Sequence, residues 1–182
     1  MIDLSDTRPK NANAEDEIAM IELSETMPKT ANEAGAYIFT VSQPTLDDLK
    51  VMVMLEAAGQ GFYAALAEAA PNIEVRALLE KSGREELGHA HRVARVIKQV
   101  FGQDFTVPAP EQNPYYMKPA GLSVTPDLLD SITQGENAGE ALYDGWAAYL
   151  GDVEAARQLR QNGAEERGHG ERAQLAKTML SA

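Results

Sequence analysis

Along most of the chain the apolar positions recur in alternating steps of three and four. Val75, Leu79, Ser82, Glu86, His89, Val93, Val96 and Val100 form one such stripe, and Ala155, Leu159, Asn162, Glu166, His169, Ala173, Ala176 and Leu180 form another. Two more run through Leu49, Met52, Glu56, Gly59, Tyr63, Leu66 and Ala70, and through Leu129, Ile132, Glu136, Gly139, Tyr143, Trp146 and Leu150. Steps of three and four hold side chains on one face of an α-helix. Four helices are therefore predicted. The first spans about Leu46 to Ala69, with Thr45 as its cap, Asp47 and Asp48 in the first turn and Pro71-Asn72 at its end. The second runs from about Ile73 to Phe101 and is closed by Gly102. Thr125-Pro126-Asp127 starts the third, which reaches about Leu150, and after a break at Gly151-Asp152 the fourth extends to about Leu180.

Between the second and third helices lies a long segment carrying Pro108, Pro110, Pro114 and Pro119, which cannot be regular helix. Two short hairpin turns around one long crossover is the connectivity of ferritin-like bundles, whereas an up-down-up-down bundle needs no crossover. The expected fold is all-α: a ferritin-like four-helix bundle over residues 45–182, made of two helix-hairpin repeats. Residues 1–44 are polar and acidic and read as a partly ordered or disordered arm. Within that arm the run Tyr37-Ile38-Phe39-Thr40-Val41 is expected to pair as a strand or to pack onto the body.

The halves repeat with an offset of 80 residues. Ser82-Gly83-Arg84-Glu85-Glu86-Leu87-Gly88-His89 lines up with Asn162-Gly163-Ala164-Glu165-Glu166-Arg167-Gly168-His169. The same offset carries Glu56 onto Glu136, Gly59 onto Gly139 and Tyr63 onto Tyr143. Every apolar stripe is thus interrupted near its middle by Glu, or by Glu with His. If the stripes meet, the polar groups converge.

Composition narrows what such a cluster can be. Without cysteine, thiolate zinc sites, iron–sulfur clusters and cysteine nucleophiles are excluded. A net charge of -12 argues against a nucleic-acid partner. No stretch approaches transmembrane length and the first residues lack a signal-peptide pattern, so a cytoplasmic chain with no membrane partner is expected. Four carboxylates in one core repel each other, and burying each without compensation costs several kcal/mol. The stripes hold no Lys or Arg to pair with them. Two divalent cations would balance the four charges, and two imidazoles favour iron, manganese or zinc over calcium or magnesium. Glu86 and His89, three apart, share a helix face and can share an ion.

A Glu from each of two helices and Glu-x-x-His from each of the other two resembles the ligand pattern of ferritin-like di-iron carboxylate proteins, most closely the rubrerythrin-related group. The resemblance covers about Leu46 to Leu180. It implies Glu56, Glu86, His89, Glu136, Glu166 and His169 as metal ligands, with Glu86 and Glu166 bridging two iron ions. Rubrerythrins often carry an additional glutamate three residues beyond the third-helix ligand. Here the nearest acid, Glu140, stands four beyond Glu136 and is either an extra ligand or a solvated acid, while its first-helix counterpart is Gln60. Glu85 and Glu165 lie one residue off the stripe, each four before a histidine, and are either solvated or ligands in place of their neighbours. His91 falls off the stripe as a surface residue or one adjoining the ligands. Tyr63 and Tyr143 are core residues, or donors or a radical relay beside the metal. Gly59, Gly88, Gly139 and Gly168 are expected beside the ligands, letting helices approach or leaving room for oxygen.

The resemblance implies redox activity toward peroxide, dioxygen or ferrous iron, as a rubrerythrin-like peroxidase or a ferroxidase. Lacking a Cys-rich rubredoxin-like domain, a peroxidase of this kind needs an external electron donor. A homo-oligomer, with a dimer favoured, is expected. Iron storage in a ferritin-like assembly, an oxygenase acting on an organic substrate, and a metal-free helical module are the alternatives.

Overall fold

The computed structural model describes residues 19–117, 119 and 121–180, and the start of the acidic arm lies outside them. Five α-helices are present among these residues: α1 (Ala31–Ile38), α2 (Leu46–Glu68), α3 (Ile73–Phe101), α4 (Pro126–Tyr149) and α5 (Val153–Leu180). The four long ones start and stop within a residue or two of the predicted limits, because local chemistry sets those limits. Thr45 and Asp48 form a reciprocal cap on α2, and the Asn72 side chain accepts from Val75 N–H at the start of α3. Gly102, at φ 69°, ends α3 in the left-handed conformation that glycine tolerates. Asp152 Oδ1 accepts from the N–H groups of Glu154 and Ala155 to start α5. None of these helices is long and apolar enough to cross a membrane.

The bundle is two hairpins joined through their second helices. α2 packs on α3, α4 packs on α5, and α3 meets α5 across the middle. By contrast, no Cα of α2 comes within 8 Å of a Cα of α4. That gap is bordered by α1, which packs against α2. The chain just beyond α1 is tied to α4 by a 2.7 Å hydrogen bond from Trp146 Nε1 to the Val41 carbonyl.

α1 corrects the expectation of a strand at Tyr37–Val41. Thr30 and Glu33 form a capping box, Tyr37 and Ile38 close the helix, and Ile38 is buried against the bundle. The alternative, packing onto the body, is what occurs. The preceding residues also dock: Ile21 N–H donates to the Gln112 carbonyl at 2.9 Å, Met27 is buried, and the Pro28 carbonyl accepts from the Tyr115 hydroxyl at 2.7 Å.

Among its described residues the crossover contains a single 3₁₀ turn, Pro110–Gln112, which lies against α2. Asn113 Nδ2 donates to the Met54 carbonyl at 2.7 Å. A Cβ at Gly61 would stand 2.4 Å from the Tyr116 ring, so only glycine admits the loop this closely. The core falls into two apolar clusters. One holds Leu49, Val93, Tyr143, Trp146 and Leu159, and the other holds Tyr63, Leu66, Leu79, Leu129 and Ala173. Between them lies the polar layer.

Candidate metal centre

Each of the four long helices contributes one carboxylate to that layer, and α3 and α5 add an imidazole each. Glu56, Glu86, His89, Glu166 and His169 are buried, and Glu136 is nearly so. His89 Nδ1 lies 3.3 Å from Glu56 Oε2 and 3.3 Å from Glu166 Oε1. His169 Nδ1 lies 3.2 Å from Glu86 Oε1, 3.3 Å from Glu136 Oε2 and 3.2 Å from Glu166 Oε2. The two imidazoles stack with centroids 5.2 Å apart. Two sets of potential donor atoms, each within 4.8 Å of one another, result: Glu56, Glu86, His89 and Glu166, and Glu86, Glu136, Glu166 and His169. Glu86 and Glu166 belong to both.

These residues fit a pair of cations. Although carboxylate oxygens crowd His169 Nδ1, none is aligned for a hydrogen bond, and neither nitrogen of this fully buried ring has a hydrogen-bond partner among the described residues. Buried polar atoms are otherwise almost always satisfied. No Lys or Arg pairs with any of the four glutamates among the described residues. Oxygen and imidazole donors that converge without Lys or Arg partners form the donor set of iron, manganese or zinc.

The electrostatics express the same crowding. Burial, reinforced by the charges of Glu166, Glu56 and Glu136, raises the pKa of Glu86 well above the carboxylate range. Burial likewise pushes Glu136 up to about 8, aided by Glu166 and opposed by His169. For His169, burial disfavours the charged ring, but Glu136 and Glu166 outweigh it and lift the pKa to about 9.

Around this layer the structure supplies parts that periodicity alone did not place. Glu85 and Glu165 lie on the far side of the histidines: Glu165 Oε2 is 3.2 Å from His89 Nε2, and Glu85 Oε2 is 3.2 Å from His169 Nε2. Arg92 donates to Glu165 and to Asn162, while Arg172 donates to Glu85 and, at 3.0 Å, to Ser82 Oγ. Each histidine of one hairpin is thus braced by the other. A signal was available, since the 80-residue offset also carries Arg92 onto Arg172. The tyrosines cross in the same sense. Tyr63 of α2 donates to Glu136 of α4, and Tyr143 of α4 donates to Glu56 of α2. Burial first, and then the surrounding carboxylates, hold both phenols protonated well above their ordinary pKa.

Glu140 is not brought into either donor set; its carboxylate accepts from the Arg167 guanidinium, with Nε at 2.8 Å. His91 is exposed. A Cβ on Gly59 would meet Glu86 Oε2 at 3.0 Å, and one on Gly139 would meet Glu166 Cγ at 3.4 Å, so these two glycines make room for the shared glutamates. Gly88 and Gly168 do not adjoin the donor atoms. Added Cβ atoms there meet only the guanidiniums of Arg92 and Arg172.

The sequence model of the family described as Rubrerythrin matches residues 47–177. No curated protein and no solved structure matches the chain.

Proposed function

Because the chain belongs to the rubrerythrin family, a ferritin-like di-iron carboxylate family, we propose that the polar layer holds two iron ions and works as a redox enzyme that reduces peroxide. Glu56, Glu86, His89 and Glu166 would hold one ion and Glu86, Glu136, Glu166 and His169 the other, with Glu86 and Glu166 serving both. The observation that carries this reading is the buried, duplicated donor set around His169, whose nitrogens lack hydrogen bonds. Bound iron would supply one-electron redox chemistry. The chain's own residues flank the layer with two apolar clusters, set Glu85 and Glu165 against the imidazoles, and direct a phenol O–H at each of Glu136 and Glu56. Electrons return from a donor outside the bundle.

Anaerobic loading with ferrous iron followed by elemental analysis is expected to give about two irons per chain. Rapid mixing then compares their oxidation by hydrogen peroxide and by dioxygen, and peroxide is expected to be faster. Failure to bind iron, manganese or zinc stoichiometrically would remove the basis of the proposal. Faster oxidation by dioxygen would favour ferroxidase chemistry instead.

The bracing acids make a separate prediction. A Glu85→Ala/Glu165→Ala variant keeps the full donor set but loses the carboxylates that face the two Nε2 atoms. It should bind metal about 10–100-fold more weakly, with unchanged stoichiometry at saturation, as measured by competition with a chelator. Loss of stoichiometry would make these acids ligands.

A further inference from the structure

The gap between α2 and α4 is not filled by the crossover, by α1 or by side chains. It holds a cavity of about 230 Å³ that reaches the four glutamates of the polar layer. Its walls are Ile38 and Phe39 at the end of α1, Met52 and Leu55 of α2, and Leu142 of α4. Gly35 and Gly135 also border it, and a Cβ added to either would meet no atom within 4 Å. Phe39 is 51% exposed and Gly135 is exposed, so they mark the mouth.

We propose that this cavity seats an organic hydroperoxide, its apolar body against Ile38, Leu55 and Leu142 and its peroxy end at the glutamates. The inference rests on the peroxide-reducing reading given above and names its substrate class. Size is the first argument. A dry cavity of about 150 Å³ accommodates benzene, so this one, which includes the room two ions would take at the glutamates, still exceeds what dioxygen or hydrogen peroxide needs. Charge is the second. No Lys or Arg lines the cavity, and an anion would face the carboxylates unaided. A ferrous ion would have to shed its hydration against an apolar wall. Polarity is the third. Polar side chains line only the inner end, at the four glutamates and Tyr143, while the outer walls are apolar, which suits a molecule with one polar end. In reduction of the hydroperoxide the O–O bond breaks, and two electrons and two protons are taken up to give one alcohol and one water. Ferrous iron held by the glutamates and histidines would supply the electrons, and a reduced electron-carrier protein would restore it.

The open space at Gly135 supplies the test. In a Gly135→Leu variant the new Cβ meets no atom within 4 Å at the border of the cavity, and the helix loses a residue of poor propensity, so folding should be preserved. Gly35→Leu fills the cavity from α1 as a second, independent variant. Titration of metal-free and zinc-loaded protein with 2-phenyl-2-propanol, the alcohol product of cumene hydroperoxide, should show saturable binding in the parent chain. Both variants should weaken it by about tenfold or more, because an occupied cavity cannot take the phenyl body without overpacking. With iron loaded, kcat/KM for cumene hydroperoxide should fall by about the same factor, while that for hydrogen peroxide stays within about twofold. Absence of alcohol binding in the parent chain, equal binding in the variants, or a parallel loss with hydrogen peroxide would overturn the proposal. The metal-free titration reads the cavity by itself, so failure to load iron would overturn the di-iron reading and with it the turnover, whereas failure of the alcohol to bind would overturn the assignment of the cavity alone.

Discussion

A Glu86→Ala/Glu166→Ala variant is expected to lose both metal ions while remaining a helical bundle. After anaerobic loading with ferrous iron, elemental analysis should fall from about two ions per chain to nearly none. Each glutamate belongs to both donor sets, so removing the pair leaves only Glu56 with His89, and Glu136 with His169. One carboxylate and one imidazole cannot balance a divalent charge or complete a coordination sphere in a dry core. The comparison that gives the experiment its edge is His89→Ala. That substitution takes a donor from only one set and leaves Glu86, Glu136, Glu166 and His169 intact. It should therefore retain about one ion per chain. Equal loss in both variants would mean that the two positions bind as one unit. Retention of both ions in the double variant would remove Glu86 and Glu166 from the site altogether. Circular dichroism should show unchanged helix content, since the apolar stripes on either side of the layer are untouched.

The helices and the convergence of their polar interruptions were legible because both depend on one-dimensional periodicity. A stripe broken by Glu at position 56 of the chain and again at 136, with Glu-x-x-His at 86 and 166, needs only that the stripes face one another. What could not be read were relations between the hairpins. Glu85 and Glu165 look solvated on their own helices, one residue off the stripe. Their partners, His169 and His89, sit on the opposite helix of the α3–α5 contact. Arg92 and Arg172 likewise find their acids across that contact. The helix α1 escaped for a different reason. At eight residues it is too short to be stable alone, and it exists because Ala34 and Ile38 are buried on the bundle. Its capping box, Thr30 with Glu33, was its only local signature. The separation of α2 from α4 has no signature in either helix. It follows from the way two hairpins meet through their second members, and it is the feature that leaves the glutamates approachable.

Without metal, the protein should become less stable as pH rises from about 6 to 9, opposite to the behaviour of a protein held together by ordinary carboxylate ion pairs. Glu136 titrates at about 8 in the fold against an ordinary value of 4.5, and His169 at about 9 against 6.5. Glu86 is raised as well. For all three the folded chain holds its protons more tightly than the unfolded one. Their favourable contribution is complete below the ordinary values and is lost as pH climbs through 8 and 9. Opposing shifts lie elsewhere on the scale: Glu165 is lowered to about 2, burial notwithstanding, by His89, Gln161 and Arg92, so its contribution fades only in acid. The loss at high pH is on the order of a few kcal/mol, which for a chain of this size corresponds to a fall of roughly 10 °C in melting temperature. Metal replaces those protons as the counter-charge, so zinc-loaded protein should show little change over the same range. The gap between loaded and metal-free melting temperatures should therefore widen with pH. Differential scanning fluorimetry of chelator-treated and zinc-loaded samples at pH 6, 7.5 and 9 measures it. A metal-free melting temperature that holds steady or rises would mean that the glutamates are already ionised and hydrated, and that the layer is wetter and less strained than its burial implies.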